Sequence, residues 1–532
     1  MTRGWTESFL CILMKRWMGG PFLDTASRVA LKRDTEMSIV RRWKIGFVGL
    51  LALGVGAIAL TLFRAGRPGV GRMRGGVSVQ RPEPELPQSV RELPVLFEQG
   101  IQVVSSNEAI PNANANSQEH VWNRFRGGDG RGISEERTIP VSWSDSENLS
   151  WKLDLPGPGS SSPILTEKYV FLTSYTGYGD EKQTGGKMDL LKRHLHCVDR
   201  TDGKLRWTKS VDAVLPEDPY QGMGIPEHGY ATNTPTTDGE YVYAFFGKSG
   251  LYAYDLDGNE QWHASVGTES GNRGWGTASS LLLYKDMVIV NASEESQSLM
   301  ALDRKTGKTV WSAPASTLEL AYGTPIIVRV NETRDDVVIA VPGEVWGLNP
   351  LTGKLVWYAE TTLTGNLSPS VIQDGEMLYV FGGYRSSGSL ALRTGGVGDV
   401  TKSHIAWTSR NSSYVVTPVL HDGHLYWIDD QGMYFCAKAS TGALVQKKRV
   451  PGIESKGRPV YASPILVDGK IYAQTRGSGL FVIAGEPELK ILHQNKFESD
   501  HSIFNGTPAV ANGQLFLRSY ASLYCVESKA SR

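Results

Sequence analysis

Cysteine is scarce in this chain of 532 residues. Its 4 cysteines, Cys11, Cys197, Cys436 and Cys525, are too few and too scattered for a disulfide framework, and no two of them are adjacent. The last three occupy matching positions in similar phrases. This pattern favours a small buried residue on an inner strand over a redox pair, which would need neighbouring cysteines.

The chain also lacks an excess of charge of either sign. Lys+Arg and Asp+Glu number 55 each, so the formal net charge is +0. Proteins that bind nucleic acid normally carry a clustered basic face, so we expect no nucleic-acid partner. Gly247-Lys248 and Gly307-Lys308 resemble the end of a phosphate loop, but the required upstream glycines are missing.

Long hydrophobic runs are missing with one exception. Residues 45–63 read IGFVGLLALGVGAIALTLF without a charge, close to the ~20 residues that a helix needs to cross a bilayer. We expect a transmembrane anchor preceded by a cytoplasmic tail at 1–44, because a large domain follows and long segments translocate largely regardless of charge. A cleaved signal peptide beginning at Met37 is the alternative.

The segment after the anchor has a different composition. Residues 64–120 are rich in Arg, Gly and Pro and then in Asn and Ser, and they hold few large apolar side chains. Such a segment buries too little surface to offset its ordering entropy, so it is predicted to be a disordered linker. The globular part at 121–532 is then expected at the cell membrane, outside the cytoplasm, on the periplasmic side.

A repeated phrase dominates the globular part. It reads ALDRKTGKTVW at 301–311, GLNPLTGKLVW at 347–357 and CVDRTDGKLRW at 197–207. Repetition at a fixed period determines the architecture of a chain. Asp-Gly and Asn-Gly pairs, which suit type I′ hairpin turns, follow most unit openings and are followed by short apolar strands.

Each unit opens with a Ser/Thr-Pro pair or its equivalent. The openings recur at roughly 45 residues, the length of a four-stranded propeller blade. Trp151 lies in a predicted outer strand that has no unit before it. The last unit, in contrast, ends without an outer strand of its own. We therefore expect an all-β, eight-bladed propeller closed by the strand of Trp151. The eight predicted openings are Ser162-Pro163, Thr234-Pro235, Ala278-Ser279, Thr324-Pro325, Ser368-Pro369, Thr417-Pro418, Ser463-Pro464 and Thr507-Pro508.

The phrase resembles the tryptophan-docking repeat of the pyrroloquinoline-quinone-like propeller superfamily, and the start at 122–132 looks like a planctomycete-type branch of it. The resemblance covers about 120–530 and implies a hairpin turn made by polar residues and Gly, with an indole between adjacent blades. The residues that carry the motif are Asp199, Gly203, Trp207, Trp262, Asp303, Thr306, Gly307, Trp311, Thr352, Gly353 and Trp357.

The chain departs from the quinone-dependent dehydrogenases of this superfamily. Those enzymes have adjacent cysteines beneath the quinone and a Ca²⁺ site, whereas no Cys-Cys pair occurs here. The docking phrase is irregular before Trp407, has Gln446 in place of Trp in the sixth unit, and is missing in the seventh. The resemblance therefore implies that the fold is retained and that no cofactor is bound, with the quinone and Ca²⁺ as the alternative.

Several polar and aromatic residues are candidates for a site. His194 and His196 lie two apart on a predicted strand, and we expect surface histidines rather than half of a metal site. No metal site is predicted. His228, Tyr230, Arg273 and Trp275 precede strand openings, where loops gather at one mouth of a propeller. They are candidate binding residues, although packing between blades would explain them as well.

These observations lead to a functional expectation. The chain is predicted to be a membrane-anchored, non-catalytic scaffold that binds a protein or a ligand outside the cytoplasm. In architecture this looks like the propellers of outer-membrane assembly. A quinone-dependent dehydrogenase with an unusual site is the alternative. A sensory ectodomain is less favoured, because residues 1–44 show no kinase or receiver pattern.

Overall fold

Eight β-sheets form the fold. The computed structural model of the protein describes residues 122–179, 186–384 and 386–528. Within them every sheet has four or five strands, and each is one blade of a propeller. The predicted all-β, eight-bladed propeller is confirmed.

The predicted tail, transmembrane segment and linker lie outside the described residues. Among the described residues, no helix combines the length and the apolar character that a membrane span requires.

The blades follow one another along the chain, and each runs from the central axis outward. The strands of blades 1 to 4 are Ile164–Leu165, Tyr169–Thr176, Lys192–Asp199 and Leu205–Asp212; Thr236–Thr237, Tyr241–Phe245, Leu251–Asp255 and Glu260–Ala264; Leu282–Tyr284, Met287–Ala292, Ser298–Asp303 and Thr309–Pro314; and Ile326–Asn331, Arg334–Val341, Glu344–Leu348 and Leu355–Glu360. The strands of blades 5 to 8 are Ile372–Asp374, Met377–Gly382, Gly388–Arg393 and Ile405–Ser409; Val419–His421, His424–Ile428, Met433–Lys438 and Leu444–Arg449; Ile465–Val467, Lys470–Gln474, Leu480–Ala484 and Ile491–Asn495; and Ala509–Ala511, Gln514–Arg518, Ser522–Glu527 and Leu149–Asp154.

Two short strands extend this pattern. Ile133–Ser134 pairs in parallel with the innermost strand of blade 7, and Gly398–Asp399 pairs in parallel with the outermost strand of blade 4. The short helical segments lie in the connections between strands: Met188–Leu190, Ile225–His228, Gly247–Ser249, Ser316–Leu318 and Thr401–His404.

Hairpin turns at Asp-Gly pairs connect the first two strands of several blades. In blade 7, Asp468 has φ 49 and Gly469 has φ 65. Positive φ at both centres is the geometry of a type I′ turn, whose twist matches that of the strands it joins. Asp422-Gly423 and Asn512-Gly513 adopt the same conformation in blades 6 and 8. The turn chemistry visible in the sequence therefore sets the registers of these hairpins.

The last blade is completed from the front of the domain. Leu149–Asp154 pairs antiparallel with Ser522–Glu527, and Trp151 lies opposite Cys525. The indole nitrogen of Trp151 donates to the backbone oxygen of Arg200 in blade 1 at 3.0 Å. The two ends of the array are thus joined by a sheet and by a side chain, which removes the exposed edges of an open array.

The docking tryptophans bridge consecutive blades in the same way. Trp207, Trp262 and Trp311 each donate the indole N–H to a backbone oxygen of the next blade at 2.9 Å. The Gly of the next blade's turn lies on the indole, so a Cβ added to Gly307 would lie 2.5 Å from Trp262. The fixed spacing of turn and indole within the repeat therefore produces the contact between neighbouring blades.

Three blades depart from this docking contact, and one of them is blade 7, whose outermost strand has no tryptophan. Trp357 donates to Oδ2 of Asp336 in its own blade at 2.8 Å, because blade 5 has no docking turn in the corresponding place. Gln446 of blade 6 accepts the amide of Leu489 in blade 7 at 2.7 Å and so forms a polar bridge where Trp is missing. Trp407 follows the usual pattern, with its indole N–H on the oxygen of Ala439 at 2.9 Å.

His194 and His196 are buried, and the expectation of surface histidines was wrong. His196 is 0% exposed, with Nε2 2.8 Å from Oγ of Ser174 and Nδ1 2.9 Å from Oγ1 of Thr208. Hydroxyl groups on the two neighbouring strands form hydrogen bonds with both imidazole rings. The polar residues around these histidines therefore indicated hydrogen-bond partners and not exposure to solvent. The expectation that Cys197 and its counterparts are buried is confirmed, although they lie on the third strand from the axis.

Candidate functional site

A closed ring of hydrogen bonds surrounds the central axis. In each blade the backbone N–H just before the first strand donates to a Ser or Thr hydroxyl of the next blade, at 2.9–3.2 Å. The last contact runs from Thr507 to Ser162 and closes the circle. We call this set the hydroxyl ring: Ser162, Thr234, Ser280, Thr324, Ser370, Thr417, Ser463 and Thr507.

The hydroxyl ring explains the Ser/Thr-Pro openings and corrects two of them. In blades 3 and 5 the ring residues are Ser280 and Ser370, not the predicted Ala278-Ser279 and Ser368-Pro369. The requirement at this position is a hydroxyl that accepts the neighbouring amide, and a following proline is dispensable. Ser280 is followed by Leu and Ser370 by Val, so neither belongs to a Ser/Thr-Pro pair.

The segment at 122–132 crosses one end of the channel. The backbone oxygens of Trp122, Asn123 and Gly132 accept amides from the innermost strands of blades 1, 2 and 7. Phe125 extends from this segment into the channel and lines its cavity. The crossing segment therefore forms the floor of the channel.

Arg126 fastens the crossing segment to blades 6 and 7. It is 0% exposed, and its Nη atoms donate to the backbone oxygens of Thr417, Pro418 and Pro464 at 2.8–3.1 Å. Burial lowers the pKa of this guanidinium to about 9, partly offset by the charge of Asp129. Backbone carbonyls of blades 6 and 7 thus accept the hydrogen bonds of the buried Arg126 guanidinium at the floor of the channel.

Above the hydroxyl ring the channel opens into a cavity of ≈ 160 Å³. Its wall combines aromatic rings with neutral polar groups, the pattern typical of small-ligand sites. The wall above the ring includes Ser160, His228, Trp275, Tyr322, Asn366, Tyr414, Arg458, Tyr461 and Asn505.

The loop between blades 1 and 2 reaches across this mouth. Its helix, Ile225–His228, places Glu227 against blades 7 and 8: Arg476 donates to Oε2 of Glu227 at 2.7 Å, and Asn505 donates to the backbone oxygen at 2.9 Å. The hydroxyl of Ser160 donates to the backbone oxygen of His228 at 2.6 Å. The loop is thereby fixed over one side of the cavity.

Three arginines lie on aromatic rings around the mouth. The guanidinium carbons of Arg273, Arg458 and Arg476 are 5.3, 4.7 and 4.8 Å from the ring centres of Trp275, Tyr414 and Tyr461. Cation–π contacts of this kind fix both partners in place. The aromatic rings at the mouth are therefore held by neighbouring cations, which favours a preformed site.

The structure distributes the four mouth candidates among three places. His228 and Trp275 line the cavity. Arg273 lies on Trp275 and is exposed. Tyr230 is 6% exposed and lies behind the wall, where its hydroxyl donates to the backbone oxygen of Asp218 at 2.7 Å. Burial lowers the pKa of His228 to about 4, so its ring is neutral near pH 7.

Sequence reasoning missed most of the cavity wall. Tyr322, Tyr461 and Asn505 each stand two residues before a member of the hydroxyl ring, and Asn366 stands four before Ser370. Because the blades share one register, the residue two before each ring position faces the channel above the ring. This shared register could have identified Tyr322, Tyr461 and Asn505 as lining residues from the sequence.

Two features of the described residues bear on the quinone–calcium alternative. Within the described part of the chain, no group of three His, Cys, Asp or Glu side chains is placed to hold a metal ion. The charged wall residues Glu227 and Arg458 are paired with Arg476 and Asp430, so they offer little to a polyanionic quinone.

Comparison with known families agrees with this architecture. The family model described as "Outer membrane protein assembly factor BamB" matches residues 145–317, 274–448 and 337–532. The chain belongs to this family. No curated protein matches the chain significantly.

Among solved structures, a BamB shares the fold, and two quinoprotein dehydrogenases also match the chain. BamB from Moraxella catarrhalis is 14% identical, with a TM-score of 0.51 over 72% of this chain and 97% of that one. A europium-containing methanol dehydrogenase is 10% identical, with a TM-score of 0.43 over 76% of this chain and 98% of that one. The quinohemoprotein alcohol dehydrogenase from Comamonas testosteroni is 13% identical, with a TM-score of 0.38 over 78% and 82%. At 14% identity the likeness to BamB concerns the fold alone.

Proposed function

We propose that the protein is a non-catalytic binding scaffold that engages a protein partner at the open mouth of its channel. The observation that supports this most is the asymmetry of the channel: the crossing segment fills one end, and the other opens into a preformed aromatic cavity. Tyr, Trp and Arg, which surround this mouth, are the residues that dominate binding hot spots. The name of the family, an outer membrane protein assembly factor, is consistent with a role in binding proteins.

The proposal includes a location. The apolar run at 45–63 anchors the chain in the cell membrane, and the propeller lies outside the cytoplasm on the periplasmic side. Protease added to spheroplasts should degrade the propeller, and alkaline carbonate should leave the chain in the membrane. Release by carbonate would instead support a cleaved signal peptide.

Site-specific cross-linking tests the binding role. Met223 lines the cavity and is 67% exposed, so a photoreactive amino acid there in the full chain should capture a partner in native membranes. Val310, which is 50% exposed on the outermost strand of blade 3, is the matched control position. Capture from position 223 should disappear in a Trp275→Ala background. Equal capture from both positions would contradict binding at the mouth.

A reconstitution experiment separates this proposal from the dehydrogenase alternative. The purified full chain is incubated with pyrroloquinoline quinone and Ca²⁺, and dye reduction is followed with alcohols and sugars as substrates. We expect no substrate-dependent reduction. Turnover that is lost in Trp275→Ala would establish a quinoprotein enzyme and overturn the scaffold proposal.

A further inference from the structure

Two residues that line the cavity each have a buried amide oxygen without a protein donor. Asn366 is 1% exposed and Asn505 is 7% exposed, both line the cavity, and neither Oδ1 accepts a hydrogen bond from any described residue. The donor side of Asn505 is committed to the backbone oxygen of Glu227 at 2.9 Å, which fixes which way the amide faces. Leaving a buried acceptor unsatisfied costs about 1–3 kcal/mol, so these oxygens favour a ligand that donates hydrogen bonds.

The charged groups of the wall are already neutralised. Nη1 of Arg476 lies 2.7 Å from Oε2 of Glu227, and Nε of Arg458 lies 3.5 Å from Oδ2 of Asp430. The ring of His228 is held by Oγ1 of Thr232 at 2.8 Å. A charged ligand that uses Glu227 or Arg458 as its counter-ion would have to compete with these pairs, and Arg273 lies on Trp275 outside the cavity lining. The wall therefore favours a neutral ligand over a carboxylate, a phosphate or an ammonium ion.

Aromatic side chains form a further part of the wall. Trp275 and Tyr322 stack with ring centres 6.3 Å apart and an interplanar angle of 24°, and Tyr414 and Tyr461 lie farther around the same cavity. The face of an aromatic ring is apolar and carries partial negative charge, so it attracts a flat array of C–H groups. The ligand that matches these surfaces has an apolar C–H face and hydroxyl donors around its edge.

We propose that the cavity at the channel mouth binds a neutral saccharide, with a sugar ring against the aromatic wall and its hydroxyls on Oδ1 of Asn366 and Oδ1 of Asn505. This inference rests on the proposed function, because it assigns a ligand class to the same binding site.

Saturation-transfer NMR on the full chain tests the inference directly, in a detergent without sugar groups. The probes are maltotriose, cellotriose and chitotriose, with trigalacturonate as the anionic comparator and glycerol as a small polyol. At least one neutral trisaccharide should bind with millimolar affinity or better, and more tightly than trigalacturonate. No signal from any neutral trisaccharide, or tighter binding of trigalacturonate, would overturn the inference.

Variants place the binding within the cavity. Ala278→Trp fills the lumen from a partly exposed position and should abolish the signal, and Asn366→Leu should weaken binding at least tenfold. Trp346→Ala, which removes a half-buried indole of blade 4 away from the cavity, should leave affinity unchanged. Circular dichroism and melting temperature confirm folding of each variant. Binding that survives Ala278→Trp would overturn the inference.

The outcomes separate the two proposals. If cross-linking from Met223 captures a protein but no neutral trisaccharide binds, the ligand class is wrong and the scaffold stands. If a trisaccharide binds and no protein is captured, the mouth is a ligand site without a protein partner.

Discussion

Trp151 of the eighth blade donates its indole N–H to the backbone oxygen of Arg200 in the first blade, 49 residues along the chain. The same contact joins Trp207 to Leu256 at an internal junction, with the same sequence separation of 49 residues. The junction between blades 8 and 1 therefore has the same indole contact as the junction between blades 1 and 2. We therefore expect the stability of the ring to depend on Leu149–Asp154, the strand that precedes the first complete blade.

Truncation of Trp151 should test ring closure. We expect Trp151→Ala to reduce the free energy of unfolding by about 3–5 kcal/mol, the usual cost of removing a buried indole. Trp151→Phe should cost roughly 0.5–1.5 kcal/mol for the lost hydrogen bond, plus a smaller packing loss. Urea unfolding measures both, and Trp207→Ala is the matched internal control. A Trp151→Ala protein as stable as the wild type would show that the ring does not need this junction.

Gly307 provides a test of the docking contact itself. It has φ +69, and an added Cβ would lie 2.5 Å from Cε3 of Trp262. Gly423 has nearly the same φ, +68, with nothing within 4 Å of an added Cβ. Both Gly→Ala variants suffer backbone strain of about 1 kcal/mol, but only Gly307→Ala also displaces an indole. Gly307→Ala should therefore lose more free energy of unfolding in urea than Gly423→Ala. Equal losses would mean that backbone strain alone explains why glycine is needed at position 307.

The architecture was readable in the sequence because one short phrase performs the same physical task in most blades. Asp303 accepts the backbone amide of Thr306 at 2.9 Å and its hydroxyl at 2.8 Å, and Gly307 supplies the positive φ that the turn needs. These contacts are local, so they appear as a fixed spacing. Blade number and the closing strand followed from counting such units.

The cavity could not be derived in the same way, because its contacts join residues far apart in the sequence. Arg476 and Glu227 are separated by 249 positions, and Arg126 reaches Pro464 across 338. Nothing in the local sequence of Arg126 indicates a buried cation whose hydrogen-bond partners are carbonyls of other blades. The loops with His228 and Trp275 were found from their position before strand openings, but that position could not separate Trp275 in the wall from Tyr230 behind it.

Arg126 should be essential for the floor of the channel. Arg126→Met keeps much of the side-chain volume but leaves the backbone oxygens of Thr417, Pro418 and Pro464 without a donor. We expect a loss of at least about 3 kcal/mol in urea, since each buried unsatisfied group costs about 1–3 kcal/mol.

Limited proteolysis should also detect release of the crossing segment in Arg126→Met, with new cleavage within 122–132. Arg131→Gln is the control, because Arg131 belongs to the same segment but its side chain is 45% exposed and contacts Asp129. If the Arg126→Met protein has the stability and cleavage pattern of Arg131→Gln, the floor is held by its backbone contacts alone.

The buried histidines of blade 1 should make the propeller sensitive to acid. Burial lowers the pKa of His194 to about 4 and that of His196 to about 3, whereas both begin near 6.5 in the unfolded chain. Below pH 6.5 the unfolded state binds more protons than the folded state, so stability falls as the pH decreases. The loss approaches about 1.4 kcal/mol per pH unit for each histidine between pH 6.5 and about 4.

A double variant removes this proton linkage and keeps hydrogen-bonding side chains at both positions. In His194→Asn/His196→Asn, the free energy of unfolding from urea titrations should decline less steeply between pH 6.5 and 4.5 than in the wild type. His493→Asn, at an exposed position on the outermost strand of blade 7, should leave the slope unchanged. Because a neutral amide cannot take up a proton in this range, an unaltered slope in the double variant would show that other groups control acid unfolding.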